Sequence, residues 1–333
     1  MAVRNRFNSK VGGVLLIALV LASAFLIFLI KTKEFAFLTS HEKGQVQPFP
    51  IGVDPLRESI AEHPDLAAYY ERHISKKSSD TKSAHWIDHA VAKLALFDWY
   101  QNLASPLSRI LVILPGERKE EIADNFSDIL DWDSAMQQEF LLRIASSAPA
   151  LSEGAFFPGR YIADKDAQPH EIADMLNSRF ESQVRARYTS DIEKLVPLQD
   201  ALIIASLLER EAYDFEDMRH IAGVIWNRLF IDMKLQLDAT LQYAKGSDPK
   251  EPAWWPPVRP DDKYIDSPFN TYQNEGLPPA PISNPSVEAI VAALNPSKTE
   301  CMFYFHDRNG AFYCTKTYEE HVALLREHYG SGK

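Results

Sequence analysis

An α+β fold carrying a single N-terminal transmembrane helix is the class the sequence predicts, on three observations. From Gly12 to Ile30 the chain has no charged residue. Two strand-like runs, ILVIL (110–114) and EGAFFPGRYIA (153–163), bracket two stretches of helical periodicity. Residues 196–230, VPLQDALIIASLLEREAYDFEDMRHIAGVIWNRLF, read as two helices joined by a short polar break, with a carboxylate on an otherwise apolar face.

The apolar run Gly12–Ile30 spans about 28 Å as a helix, close to a hydrocarbon thickness of about 30 Å. Ala22-Ser23-Ala24 offers a cleavage pattern, but the run continues through Ile30, so an uncleaved anchor is the preferred reading. Arg4, Arg6 and Lys10 precede it and Lys31 and Lys33 follow. The slight positive excess before the run puts the N-terminus in the cytoplasm and the rest on the extracytoplasmic, periplasmic side of the plasma membrane. The net charge is −11 although residues 1–33 carry five basic and no acidic residues. So acidic a remainder argues against nucleic acid as a partner. With 333 residues, 46% hydrophobic and 24% charged, the chain has room for two or three domains.

Residues 34–53 read as a linker, and 54–104 as helical, broken at Pro64 and by a polar loop at 76–83. His85 and His89 have a metal-compatible spacing, but without a third ligand a solvated helix face is the simpler reading. The block 34–106 shows no chemistry that can be named. ILVIL ends at Pro115-Gly116; KEEIADNFSDIL and DSAMQQEFLLRIA follow as helices, the second with Asp133 as N-cap. With 153–163 they make a strand–helix–helix–strand module whose strands can pair. HEIAD (170–174) starts like a zinc-protease motif but ends in Asp174, and is discounted.

Pro197 suits the first position of the helix that follows, and Asp200 its first turn. Leu202, Ala205, Ser206, Glu209, Ala212 and Tyr213 share a face, with Glu209 in its middle. Glu211 lies about 200° around the helix and points away. A carboxyl against an apolar surface is costly to ionise, and a protonated glutamic acid is what a general acid requires. The plainer alternative is an ion pair with Arg210 or Arg219.

Lys234–Tyr243 alternates in polarity, and a Pro- and Trp-rich loop follows at 246–270. Trp254 and Trp255 suit a sugar-stacking platform or packing of the loop equally. Ile282-Ser283-Asn284-Pro285 leads into a helix, PSVEAIVAAL, with Pro285 or Ser286 near its start. Cys301–Phe305 and Ala311–Cys314 form a hairpin that sets the two cysteines diagonally; an oxidising compartment would permit a disulfide without requiring it. EEHVALLREHY closes the chain as a helix with His321 and His328 solvated.

Ten pieces occur in one order: ILVILPGE, EGAFFPGRY, IASLLEREA, VIWNRL, LQLDAT, IDSPFNTY, GLPPAPISNP, ALNPSKT, YFHDRNGAFY and TYEEH. Together, over roughly residues 109–321 and behind an anchor, they resemble the MltG/YceG-like family of endolytic murein transglycosylases. Phe269, Ala239 and Ala280 depart from the family's usual tyrosine, proline and glycine. The resemblance implies an anchor and cytoplasmic tail at 1–33, a LysM-like module and connector at 107–190, and an α+β catalytic domain at 191–333.

It puts the catalytic acid on Glu209 and implies cleavage of the MurNAc-β-1,4-GlcNAc bond of peptidoglycan to 1,6-anhydroMurNAc ends. An ordinary glycosidase needs a second carboxylate; here the sugar's own C6 hydroxyl attacks, so one acid suffices. Gln236, Asp238 and Thr240 are expected to line the sugar cleft, and Asn270 and Tyr272 to bind acetamido groups or the intermediate. For each, a loop-fixing hydrogen bond is the structural alternative. No metal and no dissociable cofactor are expected. The partners implied are glycan strands, the plasma membrane and peptidoglycan synthases, with nascent-strand termination as the outcome. Two rivals remain: an inactive membrane-anchored peptidoglycan-binding or scaffold protein, and a water-using hydrolase with Asp238 as its second carboxylate.

Overall fold

The computed structural model describes residues 47–75, 107–147, 153–251 and 253–330, all within one compact unit, Gln47–Lys333. The predicted anchor and its orientation, and the helix bearing His85 and His89, lie outside the described residues. Among the described residues no helix is long and apolar enough to cross a membrane.

The stretch predicted as a linker up to residue 53 instead packs. Phe49 and Val53 are buried in the larger of two hydrophobic clusters, and the Gly52 N–H donates to Leu294 O at 2.9 Å. Helix was expected next, but β1 (Val53–Asp54) and β2 (Ser59–Ile60) form a small antiparallel hairpin. Asp54 accepts the Arg57 N–H, Pro55 sets the turn, and Glu58 adopts φ 48°, which no helix interior allows. α1 (Leu66–Tyr70) then buries Leu66 and Tyr69 in the same cluster.

The strand–helix–helix–strand module forms as its pattern predicts. β3 (Ser108–Ile113), α2 (Lys119–Leu130), α3 (Ser134–Ser147) and β4 (Gly159–Asp164) follow in order, with β3 antiparallel to β4 and Leu111 opposite Tyr161. Asp133 accepts the Met136 N–H, as a cap should. β4 begins later than its sequence pattern because Gly154, at φ 87°, turns the chain just before it. Leu111, Ile113, Phe126, Phe140 and Phe156 make a second core, closed by Ile172 and Leu176 of α4 (Pro169–Gln183).

The larger core is helical. α5 (Ser190–Leu195) leads into α6 (Leu198–Glu211), which is buried on every side from Ala201 to Leu208. Pro197 is its N-cap, one position before the one predicted. α7 (Phe215–Phe230) starts where Asp214 accepts the Asp217 N–H. α9 (Val287–Leu294) packs on both, and the Trp226 indole N–H donates to Ala293 O at 2.9 Å. Removing an interior leucine such as Leu202 would cost about 2–5 kcal/mol.

Between them in sequence lies α8 (Asp238–Gly246), within the stretch of alternating polarity at 234–243. Extension stops at Leu237, because the Leu237 N–H and Thr240 hydroxyl both engage Thr271 Oγ1 and wind the chain into a turn. β5 (Phe303–His306) and β6 (Phe312–Thr315) pair with Tyr304 opposite Cys314. A Cys301–Cys314 disulfide clamps the hairpin, with the α-carbons 5.7 Å apart. α10 (Tyr318–Tyr329) lays His321 and His328 against Phe303, Phe305 and Tyr313, so neither histidine is simply solvated. Burial and the Arg228 charge lower the His321 pKa.

Candidate active site

Glu209 stands in the last turn of α6, half-buried, just past the stretch Ala201–Leu208 that is buried on every side. The Ser286 N–H donates to its Oε2 at 2.9 Å. Ser286 is also the N-cap of α9, its hydroxyl accepting the Ala289 N–H, so one residue starts a helix and holds the carboxyl.

The loop that brings Ser286 there is stapled to α6 one turn before Glu209. The Ile282 N–H donates to the Ser206 hydroxyl (3.0 Å), and the Ser283 hydroxyl donates to Ser206 O (3.2 Å). Asn284, fully buried, then ties in the module. Its N–H donates to Glu117 O, its carbonyl accepts the Gly116 N–H, and its side chain reaches Glu117 O, Glu153 Oε1 and the Phe156 N–H.

Gly116 sits at φ 85°, where a Cβ would lie 3.7 Å from Glu209 Cγ and 3.3 Å from an Arg210 Nη. Glycine is therefore favoured by conformation, whereas in space only the end of the Arg210 side chain would have to give. Burial raises two module carboxyls beside this seam: Glu117 to about 7 and Glu153 to about 8.

The two arginines nearest in sequence both make contacts of their own. Arg219 donates to Asn295 O and pairs with Glu216. Arg210 stacks on Trp255 with its guanidinium carbon 3.9 Å from the ring centroid. Burial lowers the Arg210 pKa against the opposing charges of Glu121, Glu209 and Glu211. Arg118 lies 4.1 Å over the Tyr243 ring and donates to Trp254 O. Both tryptophans thus pack against guanidinium groups, the loop-packing alternative rather than an open platform.

Glu211 does not point away into solvent. Its Oε1 accepts the Ala239 N–H (3.2 Å) and its Oε2 the Tyr304 hydroxyl (3.0 Å). Leu237, the N-cap of α8, has no side-chain oxygen, so Glu211 caps that helix from the neighbouring one. Burial raises the Glu211 pKa, an effect the two hydrogen bonds oppose. Sequence reasoning placed Glu211 by rotation about α6 alone and missed the element that receives it.

Asp238 is exposed in the first turn of α8, and the Tyr272 hydroxyl donates to its Oδ1 at 2.7 Å, so these two predicted residues meet. Gln236 is exposed, at φ 51°, with its N–H bonded to Thr271 O. Thr240 and Asn270 are fully buried. Thr240 bonds Leu237 O and Thr271, while Asn270 donates to Lys263 O and Ile265 O and accepts the Tyr272 N–H. For these two the loop-fixing role is the one the geometry supports. Asn284 and Ser286 escaped sequence reasoning, although they lie in and just after a motif it picked out.

The YceG-like family model matches residues 81–327. The endolytic murein transglycosylase of Bacillus subtilis (strain 168) is 38% identical over 183 residues, 54% of this chain and 49% of that protein. That of Streptococcus pneumoniae (strain D39) is 32% identical over 187 residues, 56% of this chain and 34% of that protein. The chain thus spans half or less of the length of these relatives. The crystal structure of a putative YceG-like protein from Listeria monocytogenes superposes with a TM-score of 0.56 at 30% identity, covering 65% of this chain and 75% of that one.

Proposed function

The chain belongs to the YceG-like family, and from that premise we propose that it is an endolytic lytic transglycosylase of bacterial peptidoglycan. Glu209 protonates the oxygen of the MurNAc-β-1,4-GlcNAc bond. As a carboxylate it then takes the proton of the MurNAc C6 hydroxyl while that oxygen attacks C1. The C1–O4 bond breaks, a C1–O6 bond forms, no water is consumed, and the product ends in 1,6-anhydroMurNAc.

The observation that carries this reading is the division of labour between two neighbouring acids. Glu209 has one oxygen fixed by a loop N–H, whereas Glu211 is committed to the α8 terminus and Tyr304. Asp238, engaged by Tyr272, contributes with Tyr272 and Gln236 to the sugar-binding wall, which Thr240 and Asn270 hold from behind.

Gly12–Ile30 anchors the chain in the plasma membrane with the catalytic part outside, a side on which the Cys301–Cys314 bond would persist. The β3–α2–α3–β4 module serves as a LysM-like glycan holder, and peptidoglycan synthases are the protein partners whose nascent strands are cut.

The deciding experiment incubates the full chain in detergent with uncrosslinked glycan strands, beside Glu209→Gln, and reads the products by mass spectrometry. Ends one water lighter than hydrolysis products, absent with Glu209→Gln, are expected. Intact glycans that still co-sediment with the protein would instead favour the binding-protein alternative. Reducing ends that vanish in Asp238→Asn would favour hydrolysis.

A further inference from the structure

Three separated stretches, Gly116–Glu117, Glu153–Phe156 and Ile282–Ser286, meet on the side chain and backbone of one fully buried residue, Asn284. We propose that Asn284 is a positioning residue for Glu209: by bracing the Ile282–Ser286 loop it aims the Ser286 N–H at Glu209 Oε2 and so sets the orientation of the acid. The inference rests on the reading of Glu209 as the acid and goes beyond it in naming what orients that acid.

Every polar group of Asn284 has a partner. Its two amide donations run to Glu117 O (3.0 Å) and Glu153 Oε1 (2.8 Å), and its Oδ1 accepts the Phe156 N–H (2.9 Å). Its backbone forms a reciprocal pair with the module, Gly116 N–H to Asn284 O and Asn284 N–H to Glu117 O, both 2.9 Å. That pair holds Gly116 beside the Glu209 side chain, where an added Cβ would meet Glu209 Cγ at 3.7 Å. Two residues past Asn284, Ser286 meets the same carboxyl through its N–H. Pro285 between them stiffens the link, since its φ is fixed by the ring. Loss of the Asn284 brace therefore loosens both Gly116 and the loop that carries Ser286.

The test uses the full chain and separates the N–H from the rest of Ser286. Ser286 has φ −72°, the value a proline ring fixes, although the ring's Cδ takes the place of the N–H hydrogen and makes Glu209 Oε2 draw back. Ser286→Ala and Ser286→Pro both lose the hydroxyl that caps α9; only Ser286→Pro also loses the N–H. An N–H bonded to a carboxylate favours the charged form. Relative to Ser286→Ala, Ser286→Pro should therefore shift the alkaline limb of the kcat–pH profile to higher pH. It should lower kcat about tenfold with KM nearly constant, as for a lost charge-assisted hydrogen bond.

Asn284→Ala should reproduce the shifted limb. Should it not fold, Asn284→Asp, which keeps the acceptor for Phe156 and loses both donors, takes its place. Limbs that coincide with that of Ser286→Ala in Ser286→Pro, or with wild type in the folded Asn284 variant, would overturn the proposal, whatever the change in stability. Glu209→Gln guards the premise. If it stays active, the acid assignment itself is wrong; if it is dead while the limbs do not move, only the positioning role fails.

Discussion

The last turn of α6 carries two glutamates, and the walls that receive them are built from different materials. Glu209 meets loop backbone at the Ser286 N–H. Glu211 meets the start of a helix and a strand: the Ala239 N–H and the Tyr304 hydroxyl of a disulfide-clamped hairpin. A carboxyl that caps a helix is tied to the stability of that helix. The other is held by a loop N–H at the end of a buried helix and is tied to that loop instead. Two acids of the same type, two residues apart, thus take separate roles because of what the fold sets opposite each.

The sharpest way to break this contrast is the pair of amide substitutions. Glu209→Gln should remove glycan cleavage by about 10²–10⁴-fold, the usual worth of a general acid, while the urea midpoint stays near wild type. Glu211→Gln should do the reverse, retaining cleavage and lowering the midpoint. If both variants lose activity alike at equal stability, the division of roles is wrong.

Glu211→Ala goes further on the stability side. It leaves the Ala239 N–H and Tyr304 hydroxyl without their acceptor, a loss of about 1–3 kcal/mol measurable by urea unfolding.

The Glu209 wall should show a pH signature through Glu153, whose carboxyl is raised from 4.5 to about 8 by burial. The folded protein there holds a proton that the unfolded chain releases. The associated stability is whole below pH 4.5 and is lost as pH climbs toward about 8. Glu117, raised to about 7, adds to the same slope. Glu153→Gln keeps a side-chain acceptor for Lys119 and Asn284, so it should flatten the fall of Tm across that window by scanning calorimetry. An unchanged slope would mean the carboxyl is charged in the fold.

Tyr304→Phe is the mildest probe, removing one donor to Glu211 at about 0.5–1.5 kcal/mol with cleavage retained.

Sequence periodicity carried the reading as far as local structure goes. The α6–α7 pair and the four elements of the module follow from spacing and caps, because those signals are contained in neighbouring residues. The hairpin at 53–60 was missed because it depends on the positive φ of Glu58 and a cap from Asp54, against an apolar spacing that suggested helix. α8 was missed because Thr271, far along the chain, ends the extended segment. Glu209 could be singled out since its own helix supplies the apolar face. Asn284, Ser286 and the capping role of Glu211 could not, because each is defined by partners distant in sequence.

The junction at Asn284 also bears on where this chain tolerates added length. Two loops are bonded to Asn284 and a third carries it, so a residue inserted at 115–118, 153–156 or 282–286 slides a hydrogen bond off its mark and shifts the other two loops with it. The turn at Asp307–Gly310, whose bonds close on themselves, has no such obligation. A peptide tag spliced into that turn should be carried at little cost, whereas one extra residue after Gly116 should be as damaging as losing Asn284 itself.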